Sequence, residues 1–558
     1  MAPTGSPPPR PAVAAALDVA APASISARVQ VPASLRTGPF TVARYLTIPS
    51  GFTVSVLARV SGARFMAVLP NNDVLVSQPN AGRITLLRPN GTGTAAAYTF
   101  ASGLRKPHDI VVHAIGSTTY IYVAESHQIA RYVYTTGATA GAGRQVVVTG
   151  LPDASTPELG GSYGHQLKNI ALDESDRLYV SVASSCNACA SDAAANPVRG
   201  AIYQYSATGG GRRLFARGLR NAEGLAMIPG TNTLWAVVNN RDNIAYPFDD
   251  GSGQYGRVIS SYVDNHPPEE FTRVRDGGNY GWPFCNPNPN TASGTVDMPF
   301  DRDYQLNRTG SRNCTTMDRI SKGIQAHSAP LGLLFLQNTR FATAYRNGAV
   351  VALHGSWNRT TRTGAKVVYF PWNAASQRPG TQMDLVRGWL SGGSYWGRPV
   401  DVAVDRAGAM LISDDHSGTI YKLSAAPAAA ASATYEGERA RLVGARVGTD
   451  VAGYTGTGFV DYVNPTGDYA EWTVTAAAAG SHTLTFRYGL GGTAGRPLEI
   501  AVNGAQVAAH LAFPPTGSWS TWRTVSVTAS LRAGTNTVRA RATGSSGPNV
   551  DNLVVKPM

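Results

Sequence analysis

Short apolar runs recur along the first three quarters of the chain, each bounded by polar, glycine or proline residues. None shows a sustained helical period, so the runs predict β-strands. They occur as six pairs, each generally followed by a third strand: 65–69 with 73–78, 109–113 with 121–126, 169–173 with 177–183, 224–228 with 234–240, 331–335 with 349–355, and 400–404 with 409–415. Six repeats of one short antiparallel sheet predict a six-bladed β-propeller over residues 40–425.

The pattern changes on both sides of this segment. Residues 1–39 begin with a Pro/Ala-rich stretch, which predicts a disordered leader. An Ala/Pro-rich linker is predicted over 426–433, and 434–558 follows with alternating apolar residues and NG and AG turns. The last segment therefore predicts a separate β-sandwich of the jelly-roll type, and the chain as a whole is expected to be all-β.

Composition narrows the function classes. The net charge of +13 comes from scattered arginines rather than from a basic run, which argues against a nucleic-acid partner. No apolar stretch is long enough to span a membrane. The four cysteines favour two disulfides, Cys186–Cys189 and Cys285–Cys314, over free thiols or a redox-active CxxC. Disulfides indicate an oxidising compartment, so a secreted or periplasmic protein is expected, although no signal peptide is evident.

Polar residues precede the first strand of each repeat, where a propeller would bring them to one channel mouth. Reading this position around the ring gives Arg64, His108, His165, Arg220 with Asn221, His327, and Arg398. Loops after the second strands add 239–241 and 357–359. Guanidinium groups bind carboxylates with two hydrogen bonds and stack on rings. The mouth is therefore expected to hold a planar molecule that carries several negative charges.

The stretches GHQLKNIALDESDRLYVSV, GLRNAEGLAM, VVNNRDNI, RDGGNYGWPFC, HGSWNRT and GRPVDVAVDRAG carry a family resemblance. Over about 40–425 the chain resembles soluble pyrroloquinoline quinone (PQQ)-dependent sugar dehydrogenases, both the glucose/sorbosone and the fungal pyranose types. The resemblance implies that His165 is the general base and that Arg220 is also catalytic, stabilising charge on the quinone oxygens. It further implies that the cofactor-binding residues for PQQ are His108, Arg220, Asn221, His327, Arg359 and Arg398. The main-chain oxygens of Asn240 and Arg241 are implied as ligands to a calcium ion.

A second resemblance covers the C-terminal segment. The stretches YEGE, GYTGTGFVDYVN, GDYAEWTV, FRYGLGG, RPLEIAVNG, FPPTGSWSTW and GPNVDNLVV resemble carbohydrate-binding modules of families 6 and 35. This resemblance implies a structural calcium ion held by Glu436, Glu438 and Asp551. It also implies a sugar site that contains Trp519 and Asn549.

The favoured interpretation is a sugar dehydrogenase that uses PQQ and calcium and is anchored to polysaccharide. No CxxCH haem motif is present, so its electrons are expected to pass to a separate acceptor, such as a cytochrome or a quinone. Two alternatives stay open. One is a calcium-dependent lactonase-type hydrolase on a six-bladed propeller, with its metal held by side-chain carboxylates in the channel. The other is a non-catalytic sugar-binding propeller.

Overall fold

The computed structural model describes residues 23–91, 93–337, 339–426, 432–477 and 479–558, and it is nearly all β. The chain forms two compact units, Met1–Ala425 and Ala426–Met558. Helices in the described residues are short. The α-helices are Ala190–Ala194, Ser260–Val263 and Tyr304–Asn307, and the 3-10 helices are Ala33–Leu35, Gly38–Thr41, Pro79–Ala81, Pro157–Leu159, Cys314–Thr316, Thr343–Tyr345 and Gly437–Arg439. No helix in these ranges has the length and apolar character needed to cross a membrane.

Six sheets of four or more strands form the described part of the first unit, and each contains one predicted strand pair. In order from the inner strand, sheets 1 to 3 are Met66–Val68, Val74–Gln78, Arg83–Pro89, Ala95–Ala101; Ile110–Ile115, Thr118–Ala124, Ile129–Val133, Ala142–Val148; and Ile170–Leu172, Arg177–Val182, Ala201–Ser206, Arg213–Arg217, Gly278–Asn279. Sheet 4 is Ala222–Met227, Leu234–Val238, Glu269–Arg273, Ile320–Ile324, Val296–Met298.

Sheets 5 and 6 also take strands from the beginning of the unit. Sheet 5 is Pro330–Phe335, Gly348–Leu353, Lys366–Asn373, Met383–Arg387, Tyr45–Pro49, Ser24–Arg28, with Arg378–Pro379 paired to its third strand. Sheet 6 is Pro399–Val404, Met410–Asp414, Thr419–Ala425, Phe52–Arg59. Two small hairpins add Cys285–Pro287 with Phe300–Arg302, and Leu390–Ser391 with Ser394–Tyr395.

The first strands of the six sheets, here called the inner strands, contact one another in sequence order, and the sixth contacts the first. The sheets pack face to face through apolar residues, as between sheets 4 and 5, where Trp235 meets Trp372 edge-on at 5.0 Å between ring centroids. Burial of both sheet faces explains why the strands read as continuous apolar runs rather than as strict alternation. The inner strands are thereby held around a common centre.

The structure differs from the sequence-based prediction at the N-terminus. Ser24–Arg28 pairs with Tyr45–Pro49, so residues 24–39 belong to the folded first unit and are not a disordered leader. Main-chain pairing with an adjacent strand supplies the hydrogen bonds that composition alone did not reveal. Residues 1–22 and most of the predicted linker, 427–431, lie outside the described residues.

The second unit consists of two antiparallel sheets around its own core. The first contains Arg446–Gly448, Phe459–Asp461, Asn549–Pro557, Gly480–Gly489 and Trp522–Leu531, and Ala433–Glu436 also pairs with Asn549–Pro557. The second contains Arg441–Val443, Thr466–Ala476, Gly534–Thr543, Leu498–Val502 and Ala505–Leu511. Alternate residues of the long strands are buried, as expected for two sheets that each cover one face of the other.

Candidate functional site

The six inner strands of the first unit line one cavity of about 370 Å³. Asp109 and Asp401 are its buried carboxyl groups, and both accept main-chain hydrogen bonds from neighbouring inner strands. Asp109 accepts from Ile170 at 2.9 Å, and Asp401 accepts from Met66 at 2.8 Å. Burial raises the pKa of Asp109 to about 8 and that of Asp401 to about 7. These carboxyl groups join adjacent sheets.

A polar network connects the residues that precede the inner strands. Asp415 accepts from Arg64 at 3.0 Å and contacts His354 at 2.8 Å. Burial opposes the charge on Asp415, but His354 and Arg64 outweigh it and hold its pKa well below the usual range. Arg398 continues the network by donating to the main-chain oxygen of His354 at 3.0 Å. The structure thus brings Arg64 and Arg398 to one mouth, as predicted.

His108 is also at the mouth but is fully buried, and its Nε2 accepts from Arg64 at 3.3 Å. Burial holds the pKa of His108 well below its ordinary value. Asn221 is buried too, and its amide donates to Glu223 at 3.2 Å. These two predicted cofactor contacts are buried and engage neighbouring protein groups in this structure.

His165 has the geometry of a proton acceptor. Its Nδ1 lies 2.9 Å from the main-chain oxygen and 2.9 Å from the hydroxyl oxygen of Ser184. The Ser184 hydroxyl donates to Cys186, so both Ser184 oxygens accept from His165. This assigns the proton of the neutral ring to Nδ1 and leaves Nε2 free to accept. Burial, with the charge of Arg220, lowers the pKa of His165 to about 4.

Arg220 is fixed by main-chain oxygens together with the side-chain oxygen of Asn187. Its Nε donates to the carbonyl of Asn187 at 3.0 Å, and its Nη1 donates to that of Asn240 at 2.8 Å. The carboxylate of Asp242 lies 3.6 Å from Nη2. Burial lowers the pKa of Arg220, so keeping its guanidinium charged costs free energy. The dipoles of these carbonyl groups offset this cost. The side chain is therefore held ready in one orientation.

His327 lies on the other side of Asp242, with 3.5 Å between Nδ1 and the carboxylate. Its Nε2 contacts the main-chain oxygen of Val263 at 2.8 Å, and its side chain is buried. Burial opposes the charged ring, but Asp242 and Glu269 outweigh it and raise the pKa of His327. His327 thus pairs with Asp242 beside Arg220, and its predicted contact with a cofactor stays a prediction.

Arg359 and Arg398, two of the predicted cofactor-binding residues, are held by main-chain oxygens. Arg359 donates to the carbonyls of Thr361 and Ala326, and Arg398 donates to those of His354 and Gly355. Within the described ranges, no carboxylate lies within 4 Å of either guanidinium. Both side chains are only partly buried. These two guanidinium groups can each accept an anionic partner from outside the chain.

The predicted main-chain calcium ligands differ in their surroundings. The carbonyl of Asn240 faces the site, where it accepts from Arg220. The Arg241 side chain is turned into the protein and pairs with Asp303 and, at 2.6 Å, with Gln305. A guanidinium already uses one lone pair of the Asn240 oxygen, so calcium binding there stays a prediction.

Both predicted disulfides, Cys186–Cys189 and Cys285–Cys314, are confirmed. In the described parts of the chain, the one metal-like cluster of His, Cys, Asp or Glu side chains is Cys186, Cys189 and Asp192. Its cysteines are oxidised, and Asp192 already accepts from Ser185 and Arg199. The donor set of this cluster therefore does not fit a metal ion.

Sequence reasoning did not single out four groups of this site: Lys168, Asp242, Glu269 and Asp415. Lys168 is fully buried, donates to Gln166 at 2.5 Å and lies over the ring of Tyr163, and burial lowers its pKa to about 7. The signal was available for Asp415 and Lys168, since Asp415 is the last residue of one predicted strand and Lys168 directly precedes another. Asp242 and Glu269 lie in or beside the long insertion of sheet 4, where no repeat guides the alignment.

In the second unit, Thr455 joins two of the predicted metal ligands. Its hydroxyl donates to Glu436 at 2.7 Å, and its main-chain N–H donates to Asp551 at 2.8 Å. Glu438 accepts from Thr457 at 2.9 Å, and Arg487 forms an ion pair with Asp551. Among the residues described, these three carboxylates do not form one compact cluster. Their calcium site stays a prediction.

The predicted sugar-binding residues Trp519 and Asn549 both lie beside Gly489, at the beginning of the central strand Asn549–Pro557. Asn549 pairs with Gly489, and the main chain of Trp519 packs on the same glycine. Arg496 covers one face of the Trp519 ring at 5.1 Å. Asn549 is buried, whereas Trp519 is half-buried. The structure places the two residues next to the same glycine, and their role in sugar binding stays a prediction.

Comparisons with known proteins agree with this division. Residues 46–426 match the family described as TrAA12-like, and residues 445–556 match the carbohydrate binding module of family 6. The holo PQQ domain of a Coprinopsis cinerea pyranose dehydrogenase aligns with 20% identity and a TM-score of 0.55, covering 68% of this chain and 97% of that one. A calcium structure of a Trichoderma reesei family AA12 enzyme aligns with 21% identity and a TM-score of 0.54, covering 68% and 96%. At these identities the likeness establishes the fold.

A curated relative matches over a shorter region. An exo-β-D-glucosaminidase of Amycolatopsis orientalis is 36% identical over 196 residues, which is 34% of this chain and 18% of that protein. The chain spans about a fifth of the length of the curated relatives that it matches most strongly.

Proposed function

Because the chain belongs to the TrAA12-like family over residues 46–426, we propose that it is a PQQ-dependent sugar dehydrogenase on a six-bladed β-propeller, with a polysaccharide-binding second unit. The propeller is supported by six inner strands that contact one another in turn and line one cavity. The two disulfides fit a secreted protein.

The observation that carries the proposal is that Arg359 and Arg398, at the same mouth as His165 and Arg220, have no carboxylate within 4 Å among the described residues and donate to main-chain oxygens. PQQ is planar and has three carboxylates, so it supplies the anions that these guanidinium groups lack. When bound, it supplies a quinone carbonyl that accepts hydride from a sugar carbon. Arg220 would donate hydrogen bonds to the quinone oxygens and stabilise negative charge there.

His165 would remove the proton of the sugar hydroxyl. Its Nε2 is the acceptor because Nδ1 is committed to Ser184. The lowered pKa keeps the ring neutral at neutral pH, so the acceptor form is fully populated before sugar binds. Calcium held by the main-chain oxygens of Asn240 and Arg241 belongs to the same proposal.

Exposed Trp357 offers a surface for a sugar ring beside this site. Its side chain is 70% exposed and borders a depression of about 300 Å³ together with Asn358 and Arg359. An aromatic face exposed to this extent packs well against the CH groups of a pyranose. The exposed ring of Trp357 and the match to a carbohydrate-binding module both support a sugar as the reductant.

The lactonase-type alternative is less well supported by the donor groups. Its metal needs converging carboxylates, yet Asp109 and Asp401 of the cavity are engaged by main-chain N–H groups and have raised pKa values. Burial raises the pKa of both groups and so opposes the ionised form that binds a divalent cation.

Reconstitution tests the proposal. Protein freed of cofactor is titrated with PQQ, with and without calcium, and binding is followed by the absorbance of the quinone. Aldoses, pyranoses and lactones are then screened with a dye acceptor. We expect sugar-dependent dye reduction only with the quinone, and none after removal of calcium with a chelator. Sugar oxidation by quinone-free protein, or lactone hydrolysis with calcium alone, would overturn the proposal.

A further inference from the structure

One short loop links the two disulfide-bonded residues Cys186 and Cys189, and its Asn187 binds Arg220 through two different oxygens. The main-chain oxygen of Asn187 accepts from Nε of Arg220 at 3.0 Å, and its Oδ1 accepts from Nη2 at 3.1 Å. Trp282 donates its indole N–H to the same main-chain oxygen at 3.2 Å. The edge of the guanidinium that carries Nε and Nη2 is therefore held by one residue.

The amide of Asn187 also fixes the segment that carries Asp242. Its Oδ1 accepts from the main-chain N–H of Asp242 at 2.8 Å, and its Nδ2 donates to the main-chain oxygen of Asp242 at 2.8 Å. An amide donates and accepts at the same time through two different atoms, whereas a carboxylate cannot donate. Asn187 thus connects Arg220 to the residue that separates it from His327.

The residues before the loop reach the proposed base. Ser184 accepts from His165, donates its main-chain N–H to the carbonyl of Arg220 at 2.8 Å, and donates its hydroxyl to Cys186 at 2.9 Å. Residues 184–189 therefore bridge His165 and Arg220. A disulfide that closes such a short loop removes conformations in which Asn187 would point away.

We propose that Asn187 is a positioning residue for Arg220 and Asp242, and that the Cys186–Cys189 disulfide holds Asn187 in place. Reduction of that bond then loosens the site, which makes cofactor binding sensitive to thiol reductants. The consequence for cofactor binding rests on the proposed function, because it assumes that Arg220 binds PQQ. The consequence for the position of Asp242 does not rest on the proposed function.

The test compares Asn187→Ala, Asn187→Asp and the double variant Cys186→Ser/Cys189→Ser with wild type. PQQ affinity is measured by titration, exchange of the Asp242 amide by hydrogen–deuterium exchange, and folding by thermal melting. We expect Asn187→Ala to weaken PQQ binding by about tenfold or more, since hydrogen bonds to a charged group are lost. The Asp242 amide should exchange faster, with little change in melting temperature. Asn187→Asp should keep the Arg220 contact but replace the donor to the Asp242 carbonyl by a charged acceptor. Its loss of PQQ affinity should be smaller than that of Asn187→Ala, because the ion pair with Arg220 remains.

The matched control is Cys285→Ser/Cys314→Ser, which removes the other disulfide. It should lower the melting temperature but keep wild-type PQQ affinity. In this background Cys186–Cys189 is the disulfide that a phosphine reductant can cleave. Its reduction should lower PQQ affinity to that of Cys186→Ser/Cys189→Ser. The PQQ affinity of Cys186→Ser/Cys189→Ser should not change when the reductant is added. Alkylation and mass measurement confirm the reduction.

The proposal is wrong if Asn187→Ala retains both wild-type PQQ affinity and a protected Asp242 amide. If wild type binds no PQQ, the proposed function fails, but the exchange of the Asp242 amide still decides the positioning role. Faster exchange across the whole first unit, with a collapsed melting transition, would show a general folding role for Asn187 and would also overturn the proposal.

Discussion

The lowered pKa of His165 makes a quantitative prediction about the pH dependence of sugar oxidation. Burial and Arg220 bring this pKa to about 4, so the ring is neutral and able to accept a proton at any pH well above 4. An unshifted histidine would lose roughly tenfold of its neutral form between pH 7.5 and 5.5, whereas His165 should lose almost none. The value of kcat/KM should therefore stay nearly flat over this interval and fall as pH drops through about 4.

The measurement is kcat/KM of PQQ-loaded protein from pH 3.5 to 8.5, with two dye acceptors of different chemistry to remove the pH response of the dye. His165→Ala should reduce the rate by roughly a hundredfold or more, the usual contribution of a positioned base, while PQQ stays bound. The acid limb near pH 4 should be absent in this variant.

Lys168 can produce a second inflection in the pH profile, because burial lowers its pKa to about 7. The variant Lys168→Met is therefore the control that separates its titration from that of His165. An inflection near pH 7 that arises from Lys168 should disappear in Lys168→Met and remain in His165→Ala, whereas one that persists in Lys168→Met would belong to another buried group in this range, such as Asp401. A limb near pH 6.5 that vanishes in His165→Ala would refute the argument, since it would show that burial and Arg220 leave the pKa of His165 unshifted.

Three further predictions concern the cofactor, the fold and the second unit. Arg398→Ala should weaken PQQ binding at least tenfold but leave kcat at saturating PQQ within a few fold, because its role is charge pairing; an unchanged titration contradicts this. Gly224→Ala should destabilise the first unit by about 1–3 kcal/mol in urea unfolding, because a Cβ there collides with the main-chain oxygen of Leu331 and approaches Val237 to 2.7 Å. Its control is Gly210→Ala, where the nearest neighbour of the added Cβ is 3.5 Å away and the stability should hardly change. Trp519→Ala should abolish retention of the isolated 434–558 fragment on a polysaccharide affinity gel and keep its melting temperature within a few degrees; full retention contradicts the assignment.

The strand pairs and the disulfides could be predicted from the sequence because local signals determine them. Apolar runs mark the buried strands, and the residues directly before the runs fall at one mouth, which is why Arg64 and Arg398 were found without a structure. The repeat imposes this result, since any residue at that register is carried to the same end of its sheet.

Side-chain burial could not be predicted in the same way. His108 and His327 occupy the predicted register, yet they point into the protein, because Arg64 and Asp242 provide partners that lie far away in sequence. Asp242 and Glu269 were missed because they lie within or just after an insertion, 239–268, that no other repeat shares. Long-range pairing of charges carries no local pattern, so it appears only once the chain is folded.

The pairing of Phe52–Arg59 with Thr419–Ala425 has a consequence for biosynthesis. The strand that completes sheet 6 is made before the other strands of that sheet, but its partner is made only when nearly the entire first unit has been translated. During that interval the early strand has an unpaired edge, which is the kind of surface that attracts other chains. Chaperone protection of nascent chains should therefore matter most for this segment, and ribosome-bound chains that stop before residue 419 should remain open to proteases.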